Sequence, residues 1–375
     1  MIKTIKECNS NIIISTRDIH NSWLGKYGKE NTVKIGWEHN YHNNNHSYIK
    51  KVLNSITKLD YFVLVSKDLK DFYEENGGAV ISSTFDKYVY VTVRHLPRFF
   101  DYKNQLTYSR IERVKEVDEI EHPMVRNAMK LLDMHELIIN YDADLPARTG
   151  LGTSSSFAVG LLNAFHSLKG KQKEKRQLAD EAIYVERVLC NEAGGIQDQI
   201  AAAFGGLNRI DMDKDGYKVS PLTISNQRKN EFNDNLMLFF TGFSRFSAKV
   251  QRETKKNLAD KTKQLLEMKS LVKEAEDILT DQHSDLNEFG RLLDYTWKLK
   301  RGISDGISTG SIDEIYDKAV NAGAIGGKLL GAGGGGFLLF YVEKDKQPAV
   351  MKALEHLLYV PFKFENEGTK IIYYG

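Results

Sequence analysis

The chain has 375 residues, enough for two domains with sizeable cores, and its 52 Lys and Arg nearly balance 50 Asp and Glu. A formal charge of +2 gives no global field that would direct it to nucleic acid or to a membrane surface. The two cysteines, Cys8 and Cys190, lie far apart without metal-ligand spacing, and no apolar run approaches the roughly 18 residues of a membrane span, so the expectation is a soluble cytoplasmic protein with no disulfide framework.

Residues 1–66 are rich in Asn, His and Lys, and the run at 39–46 holds three histidines without a Cys or carboxylate framework. It reads as a solvated loop rather than a metal site. A helical pattern at 48–56 and an apolar strand at 61–65 follow. Mixed α and β patterns then run from about residue 68 to 210. Residues 87–93 alternate as a half-buried strand, and 137–141 form a second one. Next come a glycine-rich turn, a helix marked by Phe157, Leu161 and Phe165, a second helix at 176–190 and a short one at 199–204. A third zone opens near residue 211. It has a buried strand at 236–240 and two amphipathic helices, one with Leu265, Met268, Val272, Ala275 and Leu279, the other with Leu286, Phe289, Leu293 and Trp297. A helix at 312–322, a glycine run and a strand at 337–342 complete it. No internal repeat is present, and six prolines argue against a long flexible linker.

Three segments carry chemistry. In the first, Gly150-Leu151-Gly152-Thr153-Ser154-Ser155, glycines turn the backbone sharply between a strand and a helix that opens with small hydroxyl residues. The free N–H groups and positive dipole of such a helix start suit an anion, and the hydroxyls suit a phosphate or a hard cation. Alone, the segment would equally be an ordinary helix cap. In the second, Glu186 lies late in a helix and Asp198 follows a Gly194-Gly195 turn, between Gln197 and Gln199. Two carboxylates can divide the work of holding a metal and taking a proton, and the glutamines could orient substrate hydroxyls or Asp198 itself. The bland readings are a surface ion pair for Glu186 and an ordinary helix N-cap for Asp198.

The third segment runs from Gly326 to Gly336. Gly331, Gly333 and Gly336 satisfy G-x-G-x-x-G in form, but a helix precedes and a strand follows, the reverse of a dinucleotide fold. No P-loop pattern occurs. Four consecutive glycines are costly in backbone entropy and make sense where backbone must pass very close to a ligand.

Together these segments resemble the three motifs of the GHMP kinase superfamily, which includes galactokinase, homoserine kinase and mevalonate kinase. The match covers about residue 68 to 375, and the combination is most similar to the sugar 1-kinase branch acting on heptose 7-phosphates. The resemblance implies a two-domain α+β fold: a ribosomal S5 domain 2-like, ATP-binding domain at 67–210 and a ferredoxin-like α/β sandwich at 211–375. It implies ATP and Mg2+ as cofactors and a small sugar phosphate as partner. Gly150, Leu151, Gly152, Thr153, Ser154 and Ser155 would wrap the ATP phosphates, with Gly331, Gly333, Gly334 and Gly335 beside them. Ser154 and Glu186 would bind magnesium, and Asp198 would stand against the attacking hydroxyl. Asp68 and Gln197 would contact the sugar, and Arg245 or Lys328 would meet its second phosphate.

One part departs from the family. Asp68 matches a motif Asp, but the glycines before it and an arginine-bearing strand are absent. Residues from about 33 to 73 instead resemble part of a GT-B glycosyltransferase, far too short to work as one. The expectation is a fused N-terminal segment, with strand 61–65 standing in for the family's first strand. A fucokinase-like or other sugar 1-kinase, or a non-catalytic sugar or nucleotide binder on the same fold, are the alternatives.

Overall fold

The computed structural model describes residues 77–375 apart from 148, 193, 214–215, 243–261, 304–306 and 332, together with the backbone of three strands nearer the N-terminus. The helix expected at 48–56 and the histidine run lie outside the described residues, as do Asp68 and Arg245. The chain divides into two compact units, residues 1–78 with 211–218, and residues 79–210 with 219–375.

In the first unit, β1 (Ile12–Ser15), β2 (Val33–Glu38) and β3 (Tyr61–Leu64) form a parallel sheet in that order. The expected strand at 61–65 is therefore present, but it does not stand in for a strand of the kinase sheets. A reason lies in the next strand, β4 (Gly78–Phe85), which already has neighbours on both sides: β9 (Leu207–Asp213) and β15 (Phe364–Glu365). A strand with both ladders filled offers no edge to another. Sequence reading had not found β4 at all.

The second unit takes in nearly all of β4 and continues with β5 (Val89–His95), β6 (Asn104–Thr107), β7 (Ile111–Val114), α1 (Pro123–Leu131) and β8 (Leu137–Ala143). These strands form a four-stranded sheet of order β5-β8-β6-β7, in which β8 pairs antiparallel with β5 and parallel with β6. In β5 the half-buried Val89, Val91 and Val93 alternate with outward side chains, as their period of two requires. Helix α2 (Thr153–Leu168) lies on this sheet and buries Phe157, Leu161, Leu162 and Phe165. Then come α3 (Lys175–Ile183), a π-helical turn (Tyr184–Leu189) and α4 (Gln197–Phe204).

After the hairpin β9–β10 (Gly216–Pro221), the chain runs through α5 (Asn226–Asp234), β11 (Leu236–Phe240), α6 (Thr262–Thr280), α7 (Asn287–Arg301) and α8 (Gly310–Asn321). It finishes with β12 (Gly326–Leu329), β13 (Phe337–Tyr341), α9 (Gln347–Ala353), β14 (Leu358–Tyr359) and β15. A second four-stranded sheet has the order β12-β13-β11-β14. One core cluster joins it to Trp297 of α7, Ile312 and Tyr316 of α8 and Val350 of α9. Tyr341 and Leu236 belong to another, with Phe232 of α5 and Leu279 of α6. A third cluster positions the site: Leu238, Phe337 and Val360 pack against Leu145 and Leu151, which flank the first glycine turn. The mixed helix-and-sheet architecture agrees with the expected fold.

Strand β12 passes α7 at backbone distance, and a Cβ on Gly326 would lie 2.1 Å from the Gly290 carbonyl oxygen. Gly326→Ala should therefore destabilise the chain by about 1–3 kcal/mol through overpacking. A urea midpoint equal to that of the parent chain would show that the helix is not seated there.

Candidate active site

The buried strand β8 delivers the chain into the turn before α2, and the two glycines of that turn take conformations closed to other residues. Gly150 has φ +86°, and a Cβ there would lie 2.7 Å from the Leu330 carbonyl oxygen. Gly152 is the N-cap of α2 with φ 72°, and no side chain caps the helix. The first amide N–H groups of α2 thus keep their donors for something outside the chain, at the positive end of a 16-residue helix.

The last glycine run is folded onto this turn. A Cβ on Gly331 would lie 2.5 Å from the Gly150 Cα, and one on Gly336 would lie 2.2 Å from the Thr149 carbonyl oxygen. Gly331 and Gly333 to Gly336 all have positive φ. The Gly334 amide donates to the Ile307 carbonyl at 3.0 Å, and the Gly336 amide donates to the Thr241 hydroxyl at 3.1 Å. These bonds to Ile307 and Thr241 brace the loop, leaving its glycine edge against the first glycine turn.

The two carboxylates have unlike surroundings. Glu186 is 1% exposed and sits in the π-helical turn that ends the α3 segment. Such turns widen a helix by one residue and re-aim a side chain. The Ser154 hydroxyl donates to one of its oxygens at 3.0 Å, and the buried Gln199 amide donates to the other. Its bland reading as a surface ion pair is overturned, because both partners are neutral and the carboxylate is buried. Gln199 was read as orienting substrate or Asp198; the structure gives it to Glu186 instead, while its own Oε1 is buried without a partner.

Asp198 occupies the first turn of α4, two residues after the N-cap Ile196, and no side chain caps the helix. A Cβ on Gly152 would lie 3.4 Å from the Asp198 Cβ and 3.5 Å from its Cγ. The carboxylate is open to solvent on one side yet surrounded by protein. This desolvation holds its pKa above the ordinary value, the charge of Glu186 adds to the rise, and the Arg187 guanidinium opposes it. Arg187, which sequence reasoning missed, also donates to the Gly195 carbonyl at 3.1 Å and so fixes the Gly-Gly turn before α4. Gln197 lies back over Gly195, where a Cβ would meet its Oε1 at 2.2 Å.

Lys328 lies on β12, half-buried, and Lys300 at the end of α7 donates to the Gly331 carbonyl at 2.7 Å. Burial and the charge of Lys328 push the Lys300 ammonium down to about 7, and burial lowers Lys328 as well. Lys300 carried no motif and was not found from sequence. The structure thus brings together the first glycine turn, Ser154, Glu186, Asp198 and the last glycine run. The side chains of Ser154 and Glu186 offer the hard oxygens that a divalent cation takes. Among the described residues, no trio of His, Cys, Asp or Glu could hold a metal by itself. No helix of the described residues is long and apolar enough to cross a membrane.

The comparisons with known proteins agree with this geometry. The GHMP kinases N terminal domain matches residues 103–206 and the GHMP kinases C terminal domain matches residues 270–359, together more than half of the chain. D-glycero-alpha-D-manno-heptose 7-phosphate kinase from Campylobacter jejuni is 32% identical over 232 residues, which is 61% of this chain and 68% of that protein. L-fucokinase/L-fucose-1-P guanylyltransferase from Bacteroides fragilis is 30% identical over 216 residues, 56% of this chain but only 22% of that longer protein. The crystal structure of a D-glycero-D-manno-heptose 1-phosphate kinase from Bacteroides thetaiotaomicron superposes with a TM-score of 0.62 at 24% identity, covering 79% of this chain and 90% of that one, which shows the shared fold. The chain belongs to the GHMP kinase family and is a phosphotransferase.

The Glu186 arrangement makes a stability prediction. Gln199→Leu keeps the volume but removes the donor to a buried carboxylate, so it should cost about 1–3 kcal/mol of stability. Thermal unfolding measures it, and an unchanged midpoint would mean that the amide does not support Glu186.

Proposed function

We propose that this GHMP kinase transfers the γ-phosphoryl group of ATP to the anomeric hydroxyl of a sugar, with a heptose 7-phosphate as acceptor and Mg2+ as the metal. The observation that carries the reading is the apposition of Asp198 with Gly152. It places an acceptor of protons directly beside the uncapped end of a helix suited to phosphates. The acceptor assignment is supported by the 32% identity to the Campylobacter jejuni heptose 7-phosphate kinase.

Phosphoryl transfer needs positioning and charge neutralisation more than covalent help from the protein. Residues Gly150 to Ser155 would receive the phosphates on backbone N–H groups and hydroxyls, with the edge from Gly331 to Gly335 closing against them. Ser154 and Glu186 would hold the metal, which neutralises phosphate charge when bound. Their oxygens fit that use, since Mg2+ commonly takes one or two carboxylates and completes its shell with phosphates and water. Asp198 would hold the attacking hydroxyl and accept its proton, and a raised pKa favours that acceptor role. Gln197 and Lys328 would serve the sugar side, with Asp68 and Arg245 as further candidates. Residues 67–210 would act as the nucleotide-binding domain and 211–375 as its partner.

A second reading, a fucokinase-like sugar 1-kinase, is supported by the 30% identity to the Bacteroides fragilis enzyme and needs no site for a second phosphate. Two measurements separate the readings. The purified chain with Mg2+ should consume ATP with heptose 7-phosphate far faster than with fucose, galactose or mevalonate. Asp198→Asn should then lower kcat by roughly 10²–10⁴. Turnover only with fucose would replace the acceptor, and nucleotide binding without turnover of any sugar would reduce the chain to a binding protein.

A further inference from the structure

Helix α7 ends in a cluster of cations, and the pairing of those cations is uneven. Lys298 reaches Asp294 at 2.7 Å and Arg301 reaches Asp313 at 3.1 Å, so the residues to either side of Lys300 are neutralised by carboxylates. Lys300 has no such partner among the described residues. Its ammonium donates to a backbone carbonyl, that of Gly331, at 2.7 Å. Lys328 has no carboxylate partner among the described residues either, and its charge acts on Lys300.

Lys300 is bonded to the loop that rests on the first glycine turn, and Lys328 lies on the strand that leads into that loop. Lys328 stands opposite Leu339 in the β12–β13 register, so the two side chains share a face of the sheet. Leu339 packs against the same cluster of Leu238, Phe337 and Val360 as Leu145 and Leu151, which lie either side of Gly150 in the chain. Lys300 is tied to Gly331, whose missing Cβ lets it rest on the Gly150 Cα. Two half-buried ammonium groups of like charge are unfavourable together unless an anion compensates them.

We infer that Lys300 and Lys328 form a two-pronged receptor for a phosphoryl dianion beside the last glycine loop. The inference rests on the kinase reading of this site and adds Lys300 to it. Two point charges with rotatable donors suit a tetrahedral dianion, whose oxygens take charge-assisted hydrogen bonds from both. The Gly331 carbonyl holds the Lys300 head close to the loop and leaves its remaining donors for the ligand. The dianion has two sources: the polyphosphate of ATP, or a phosphate already carried by the acceptor.

Calorimetric titrations of the full chain test the receptor and its source. Pyrophosphate is the common probe, and Lys300→Gln and Lys328→Gln should each weaken it roughly ten- to hundredfold, as expected for loss of a charged hydrogen bond. Lys300→Arg, which keeps the charge, should recover most of that loss. MgATP and heptose 7-phosphate are then titrated separately into the same variants. Loss confined to MgATP assigns the receptor to the nucleotide, and loss confined to heptose 7-phosphate, with unphosphorylated heptose unaffected, assigns it to the acceptor. If the parent chain does not bind heptose 7-phosphate, the acceptor proposed above fails while pyrophosphate and MgATP still judge the lysines. Parent-like affinity for pyrophosphate in Lys300→Gln and Lys328→Gln would overturn the inference, as would Lys300→Arg failing as badly as Lys300→Gln with an unchanged melting temperature.

Discussion

Gly150 and Gly331 meet backbone to backbone, and no other residue type fits at either position. Each has a positive φ, and a Cβ on either would fall within 2.7 Å of an atom of the facing segment. This contact joins the strand-turn-helix of one half of the kinase body to the strand-loop-strand of the other. Leu145, Leu151 and Leu330 seal it from below by packing around Phe337 and Leu238. Glycine's entropic cost in the unfolded chain is repaid by an approach that places a row of amides along one narrow edge. The uncapped start of α2, the seat of Lys300 and the place of Asp198 all follow from where that edge lies.

The two carboxylates divide along a gradient of burial. Glu186 is enclosed and held by two neutral donors, which do not pair a carboxylate's charge as a cation of the chain would. A lysine or arginine in the place of Gln199 would have spent that charge in an internal ion pair. Asp198 has no hydrogen-bond partner among the described residues competing for its oxygens, is exposed to solvent and has its proton affinity raised by its surroundings. Those contrasting surroundings are what a proton acceptor and a metal ligand would need, the roles proposed for Asp198 and Glu186.

What the sequence made legible follows from the range of the physics involved. The phosphate turn, the last glycine run and both carboxylates could be read because glycine and helix-start chemistry is local. The half-buried strand near residues 87–93 was read from its alternation, although its ladder is shifted to Val89–His95. Strand β4 was missed because its residues are all half-buried, with no alternation to detect. Gln199 was misassigned because its partner, Glu186, lies 13 positions earlier and meets it only after the π-helical turn rotates that carboxylate inward. Lys300 was invisible for a like reason: it belongs to a helix face that reads as ordinary surface, and only the fold brings it to Gly331.

These placements give the site a particular charge balance before any ligand arrives. Among the described residues the enclosed Glu186 carboxylate has no cationic partner, and Lys300 and Lys328 have no anionic ones. Pairing Glu186 with Lys300 or Lys328 would relieve both, yet the folded chain holds them to neutral groups: Ser154 and Gln199 for the acid, the Gly331 carbonyl for one base. Keeping unlike charges apart costs stability in the empty protein. A metal-bound polyphosphate carries both signs and would satisfy the two sides at once, the metal at the acid and the phosphates at the lysines and amides. A ligand of that charge pattern would recover the stability given up in the resting fold, and a ligand bearing only one of the two signs would recover only part of it.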